Sequence, residues 1–501
     1  MQAPEATSGS PTADGDRRIV LRNTLYLGIA EVLSMPISIL LNAMMGHYLG
    51  PEALGQIYLA GTIAGVSFLV IAWGHQGSLP AAVVLDRSQA GKLLGSSIAW
   101  RLVASVVVYA MVALGCYALG FTGSQQWAIG LIFLGGTLAT AVAACQETIR
   151  GFERTDIAAY SRVGQQFAAA TLVTTTLLLG GGMRLTLLAQ SLSVLLVLLP
   201  VMRALSSVGV GKLGWDRGHF KGLMAHGTSF AFFGLALVLQ PNIDAFYLAK
   251  LSSDTVVGWY AVAWKLIGVL LVPATALIGG LYPTLCRLHA TDMEGFRRTT
   301  RSSIAAVSLL AVPVALSCAL YPDVGVSIFG RKAFRPAEDT LTFASYYLFL
   351  VYFSMPIGTA LVAAGRQRAW TTIQLLCVLN SAILDPFMIR LFQERYANGG
   401  IGLGVTAGIS ESVMVIAGIT LMPRGVFDRG LAKTLVLSAL AGAAMVGTAM
   451  SLRVLPSLLG APIALAAYAL AAYLTGAISK RQVAEIVGFV RRKLGRAKSA
   501  A

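Results

Sequence analysis

The chain has 501 residues, 56% of them hydrophobic and only 12% charged, with a formal net charge of +16; a soluble domain carries about 25% charge. That balance excludes a soluble globular enzyme and predicts an all-α polytopic membrane protein, because a backbone in hydrocarbon must satisfy its own hydrogen bonds. The positive excess needs no nucleic-acid partner, since it is spread along the chain as loop charge.

The N-terminal "MQAPEATSGSPTADGD" is rich in Pro, Gly, Ser and Thr and has no apolar stretch. It predicts a disordered cytoplasmic tail over 1–17, not a cleavable signal peptide. Apolar runs of about 20 residues, enough for a ~30 Å hydrocarbon core, then recur from Leu25 to Ile478, about fourteen in all. Six occupy 18–205, a predicted N-lobe. A cytoplasmic linker follows at 206–222, then six more runs at 223–424 as a C-lobe. The thirteenth and fourteenth lie in 425–479. The ending "KRQVAEIVGFVRRKLGRAKSA" puts Val483, Ile486, Val487, Val490 and Leu494 on one helical face among basic residues. Residues 480–501 therefore predict a cationic amphipathic segment lying on anionic inner-leaflet lipid.

With both termini cytoplasmic and the loops alternating, 28 of the 38 Lys and Arg fall on the cytoplasmic side and 8 on the other, leaving Arg101 and Lys265 inside helices. This asymmetry is the positive-inside rule and sets the orientation.

The two sets of six runs resemble each other. "GHYLGPEALGQIYLA" and "AKLSSDTVVGWYAVA" align with Gly55 on Gly258, an offset of 203 that also brings Pro80 onto Pro283. "IRGFERTDI" and "AAGRQRAWT" align around Gly151 and Gly365. An even number of passes per repeat makes the repeats parallel, as in alternating-access transporters. Prolines inside the runs, such as Pro36, Pro241, Pro273, Pro313, Pro356 and Pro386, permit bends. Gly400, Gly404 and Gly408 form a small face suited to close helix packing.

"HYLGPEALG", "RGFERTDIAAY" and "PTLCRLHATDMEGFRRTTRSS" resemble the polysaccharide-transport branch of the multidrug/oligosaccharidyl-lipid/polysaccharide (MOP) exporter superfamily, over roughly residues 18–480. The resemblance implies two six-helix lobes plus two helices. It also implies a flippase that moves undecaprenyl-pyrophosphate-linked oligosaccharide from the cytoplasmic to the outer leaflet of a bacterial inner membrane. Polysaccharide-assembly proteins are the expected partners, and no cofactor is expected beyond a coupling H+ or Na+. Its drug-exporting relatives typically have twelve helices. No family motif assigns substrate-binding residues.

A charge inside a membrane helix costs roughly 2.5–3.5 kcal/mol on insertion scales and so normally faces a wet cavity or a partner. Lys265 and Arg101 are the expected counter-charges for a pyrophosphate. Glu31, Asp244 and Glu411 are the coupling-ion candidates. The competing use of all five is pairing across helices. Arg150, Arg154, Arg366 and Arg368 flank the two repeat-related turns; they suit a cytoplasmic mouth, although topogenic anchoring explains them better.

Neither a P-loop, a His or Cys metal pattern nor a large outer loop occurs, so no enzyme is expected. The alternatives are a drug or cation antiporter of the same superfamily, which would want acids dominating its cavity, and, more remotely, a membrane-bound polysaccharide polymerase or ligase.

Overall fold

The computed structural model describes residues 13–330 and 332–478. Its helices are α1 (Ala13–Ala72), α2 (His75–Leu85), α3 (Ala90–Ala118), α4 (Gly123–Gly151), α5 (Thr155–Leu178), α6 (Met183–Ser207), α7 (Arg217–Leu251), α8 (Asp254–Leu270), α9 (Val272–Gly279), α10 (Leu281–Thr291), α11 (Met293–Leu320), α12 (Pro322–Val326), α13 (Pro336–Ala363), α14 (Gln367–Tyr396), α15 (Gly399–Leu421), α16 (Arg429–Ser451) and α17 (Ser457–Leu474). Among the described residues there is no strand. The expected amphipathic segment at 480–501, and the expected tail as far as residue 12, lie outside the described residues. Residues 13–17 belong to α1, so the end of that tail is helical. The acids at 14 and 16 precede the bases at 17 and 18, the charge order that the start of a helix favours.

Among the described residues, eleven stretches are long and apolar enough to cross a membrane. One of them, Leu33–Leu85, has 53 residues, about 80 Å at 1.5 Å per residue, more than twice a hydrocarbon core. It breaks at Gly50, whose φ of 79° and ψ of 177° interrupt α1. That break gives two passes, and α5 and α7 bring the total to the expected fourteen. α5 is less apolar because it carries Arg162, Gln165, Gln166 and a run of threonines.

Two of the passes are discontinuous. α1 and α2 are separated by Trp73 and Gly74, both with positive φ (44° and 71°). The α8–α9–α10 pass turns at Leu271, ahead of Pro273, and again at Gly280. Gly280 less the repeat offset of 203 is residue 77, one turn from the break at Trp73 and Gly74, so both repeats interrupt the same pass.

The described residues divide into two compact units. One comprises residues up to Leu49 with Gln56–Asn242, the other Gly50–Gly55 with residues from Ile243 onward. In the first unit, the segment after α6 is docked on α3. A Cβ on Gly91 would lie 2.5 Å from the Lys212 carbonyl oxygen, and one on Gly95 would lie 2.3 Å from that of Gly214. Only glycine admits so close a backbone. Asp216 then caps α7, accepting from the His219 N–H at 2.8 Å and meeting its ring at 2.7 Å. These hydrogen bonds hold its carboxyl below the usual range. In the second unit, α16 packs on α11 around Ala441 and Met445, and the Tyr468 hydroxyl of α17 donates to the Leu309 carbonyl at 2.9 Å.

The repeat is visible in the packing of the second unit. A Cβ on Gly55 would stand 1.8 Å from the Asp254 carbonyl oxygen, and one on Gly258 would stand 2.0 Å from that of Pro51. Pro51 and Asp254 are themselves 203 apart, so the two helix starts cross reciprocally, each glycine accepting the other's first turn. Gly55→Ala and Gly258→Ala are each expected to cost about 2–3 kcal/mol through forced backbone separation, read as a lower melting midpoint of the detergent-purified protein. Gly61→Ala, where a Cβ meets nothing within 4 Å, should leave the midpoint unchanged.

Candidate functional site

The second unit assembles a polar cluster within the membrane-spanning helices. Its geometry begins with small residues on α15. A Cβ on Gly402 would lie 2.5 Å from the Met388 carbonyl oxygen, and one on Gly404 would lie 3.3 Å from the Ala344 nitrogen. α14 and α13 therefore close directly on α15, and the face expected from Gly400, Gly404 and Gly408 serves helix packing. Such small-residue contacts bring polar side chains of neighbouring helices within reach.

Asp244 of α7 and Asp385 of α14 meet there. Both are buried, at 6% and 1% exposure, and each carboxyl lies close enough to act on the other, with Thr406 of α15 beside Asp385. Two carboxylates this close repel each other unless a proton or a cation is shared between them. Among the described residues, Oδ1 of Asp244 and Oδ2 of Asp385 have no hydrogen-bond partner. This all-oxygen set suits a proton or a hard cation. Glu411, also buried, accepts from the Ser354 hydroxyl. The Tyr347 phenol lies close enough to Glu411 and Asp244 to feel both carboxyls. It also ends an aromatic column, Tyr260 to Trp264 to Tyr347, with centroids 5.2 and 5.3 Å apart.

Lys265 follows Trp264 on α8, under two turns before the break at Leu271. The Leu270 carbonyl left free at that break is taken by the Tyr352 hydroxyl. Among the described residues, Lys265 has neither an ion pair nor a hydrogen bond, so its ammonium is uncompensated by any of them. Glu31 lies on α1, but its side chain lies outside the described residues.

Arg101 differs from Lys265. It is 1% exposed; its guanidinium meets Glu147 of α4 at 2.6 Å and donates to the Thr140 carbonyl at 2.8 Å. Its charge is answered within the first unit, in a buried group that also holds His75 bonded to Ser97 at 2.9 Å. Pairing across helices therefore accounts for Arg101. Glu147→Ala, which strands that guanidinium, is expected to destabilise by about 3–5 kcal/mol, whereas Arg101→Met with Glu147→Leu should restore most of the melting midpoint.

The four mouth arginines have separate surroundings. Arg154 makes two 3.1 Å bonds to Asp156, and Arg366 donates to the Leu421 carbonyl at the end of α15. Arg150 is half-buried one turn after Glu147, and Arg368 is exposed.

Sequence reasoning overlooks Asp385, because Arg390 and Glu394 on the same helix make its surroundings read as a polar end. The available signal was an acid beside a proline in "AILDPFMI". Thr406 and Ser354 carry no signal, being common in membrane helices.

The family model described as "Polysaccharide biosynthesis protein" matches residues 20–289, and the MatE model matches residues 231–387. The "Probable flippase AglR" of Haloferax volcanii is 23% identical over 187 residues, 37% of this chain. The match spans 38% of that relative's length. The fold is similar to that of "Lipid II flippase MurJ, inward closed conformation", with a TM-score of 0.68 and 13% identity over 90% of this chain and 98% of the other. It is also similar to an inward-facing multidrug resistance MATE family transporter of the MOP superfamily, with a TM-score of 0.62 and 14% identity over 79% and 97% of the two chains.

Proposed function

We propose, for a chain that belongs to the polysaccharide biosynthesis protein family, that it is a flippase carrying an undecaprenyl-pyrophosphate-linked oligosaccharide from the cytoplasmic to the outer leaflet of a bacterial inner membrane. The observation that carries this reading is Lys265, an ammonium without a partner among the described residues, on a discontinuous membrane-spanning helix. Broken helices at matching positions of two repeats point to a transport site. An uncompensated cation there attracts an anionic group and repels a cationic drug. The buried acids of the same unit, by contrast, are engaged with one another or with a hydroxyl.

In this reading the pyrophosphate exchanges its hydration for Lys265 during passage, and the repeats expose it to the two leaflets in turn. The Asp244–Asp385 pair takes up and releases H+ or Na+, with Glu411 and Glu31 as further acids on the same scale. The basic side of the bundle and both termini are cytoplasmic, the segment 480–501 rests on anionic lipid, and the released product feeds polysaccharide-assembly proteins. Arg150 and Arg368 are the mouth residues whose charge is least committed.

A cation or drug antiporter is the second reading, favoured by the Asp244–Asp385 pair and by the similarity to a multidrug transporter. Complementation separates the two: the wild-type chain is placed in cells lacking their lipid-linked oligosaccharide flippase, and surface polysaccharide and dye efflux are measured. Restored polysaccharide with unchanged dye efflux is the expected result. Dye efflux without polysaccharide would establish the antiporter reading instead.

A further inference from the structure

The first unit holds a cavity of about 260 Å³ among α1, α4, α5 and α6. Its polar lining is Gln165 and Gln166 of α5 with Gln190, Ser191 and Ser193 of α6, and its apolar wall includes Phe68. Among the described residues, no charged side chain lines it. The glutamines and serines lie well inside α5 and α6, away from either helix end, where uncharged amides are costly unless something bonds to them. Among the described residues, the three glutamine amides make no hydrogen bond to protein.

The walls are built for this opening. A Cβ on Gly136 would fall 2.1 Å from the Phe68 ring, and one on Gly135 would fall 2.6 Å from Ser191 Oγ. The two glycines thus let an aromatic face and a hydroxyl advance to the cavity edge. Phe68 is held from behind by Phe133, with centroids 5.3 Å apart. Ser191 donates to the Leu131 or the Leu187 carbonyl, at 2.8 and 2.9 Å, and Ser193 donates to the Gln190 carbonyl at 2.6 Å. With their protons committed, both hydroxyls face a ligand as acceptors. Each amide offers two donors and an acceptor.

A ligand for this lining is neutral, carries several hydroxyl or amide groups, and has one apolar face for Phe68. At ~30 Å³ per water, the cavity equals roughly nine waters, the scale of one pyranose ring and not of a whole oligosaccharide or a polyprenyl tail. Pockets of this kind orient their ligand through a few convergent polar groups on an apolar wall.

We infer that this cavity is a sugar subsite, in which Gln165, Gln166 and Gln190 grip the hydroxyl or acetamido groups of one residue of the transported glycan while Phe68 stacks on its ring. The inference rests on the flippase reading and adds to it the part of the substrate that Lys265 cannot recognise. It divides recognition between the units: the second answers the charge and the first answers the carbohydrate.

The test uses the full chain in lipid nanodiscs and two probes, polyprenyl pyrophosphate and polyprenyl-pyrophosphate-linked N-acetylglucosamine, competed against each other and read by native mass spectrometry. In the wild type the sugar-bearing probe should be favoured by roughly tenfold, the worth of one or two net hydrogen bonds. Gln166→Leu and Gln190→Leu should each reduce that preference to under about twofold while binding the bare probe as before. Because leucine removes an unpaired amide, their melting midpoints should equal or exceed the wild type's. Gln190→Asn, should either leucine variant fail to insert, keeps the amide and shortens its reach, and should give an intermediate preference. A preference that persists unchanged in the variants overturns the subsite and leaves the flippase reading intact. A wild type indifferent to the sugar also overturns it. Failure to bind either probe removes the flippase reading, and the subsite falls with it.

Discussion

Lys265→Ala is expected to lower transport of a pyrophosphate-linked lipid by roughly 100-fold, with normal insertion and an unchanged melting midpoint. The magnitude follows from removing one partner of a charge pair in a poorly hydrated site, about 2–5 kcal/mol, where each 1.36 kcal/mol is tenfold. Stability should hold because none of the described residues loses a partner when the ammonium goes; in the empty protein the charge is a cost. Lys265→Arg keeps the charge on a planar, bidentate head and should retain a measurable fraction of the rate. Lys265→Glu should abolish transport. The assay is the outward movement of a labelled lipid-linked oligosaccharide in proteoliposomes. Unimpaired movement in Lys265→Glu would remove this residue from the substrate path.

The second large effect is expected at the carboxyl pair. Asp385→Asn and Asp244→Asn should each cut gradient-driven transport by roughly 100-fold, and the double variant should do no worse than either single one, since residues acting as one unit are not additive. Asparagine preserves the shape of the pair and supplies an N–H to the remaining carboxyl, so the fold is kept while the shared proton or cation is lost. The measurement imposes a pH or Na+ gradient across proteoliposomes and follows its effect on the rate. The wild type should respond to one of the two, whereas the variants should respond to neither. A double variant that still follows the gradient would move the coupling role to Glu411 or Glu31, whose substitution is then the next measurement.

Much of the fold is legible in the chain because a membrane imposes it. Hydrocarbon forces each pass into a helix of known length, and Arg and Lys mark one side. The repeat is legible at Gly55 and Gly258, since a backbone contact that admits no Cβ leaves a glycine in each copy. Lys265 is legible for a related reason: an isolated charge in a long apolar run has no local explanation. What the chain does not display is which helices are neighbours. Arg101 and Glu147 are 46 residues apart, and Asp244 and Asp385 are 141 apart; nothing local to either marks its partner. That is why Arg101 reads as a free cation until the structure pairs it, and why Asp385 is missed. The glutamines of α5 and α6 carry no signal of their own in the chain; only the glycines of α4, by drawing back the wall opposite, turn them into a cavity lining.

The crossing of Gly55 with Gly258 bears on how such a chain can change over generations. After a duplication, two copies of a segment are ordinarily free to drift apart, each answering to its own surroundings. Here each copy is part of the other's surroundings, since Gly55 rests on residue 254 and Gly258 on residue 51. A bulkier residue accepted in one copy must be accommodated by the backbone of its twin. The four positions therefore constrain one another, and a change in either copy is felt in the packing of both.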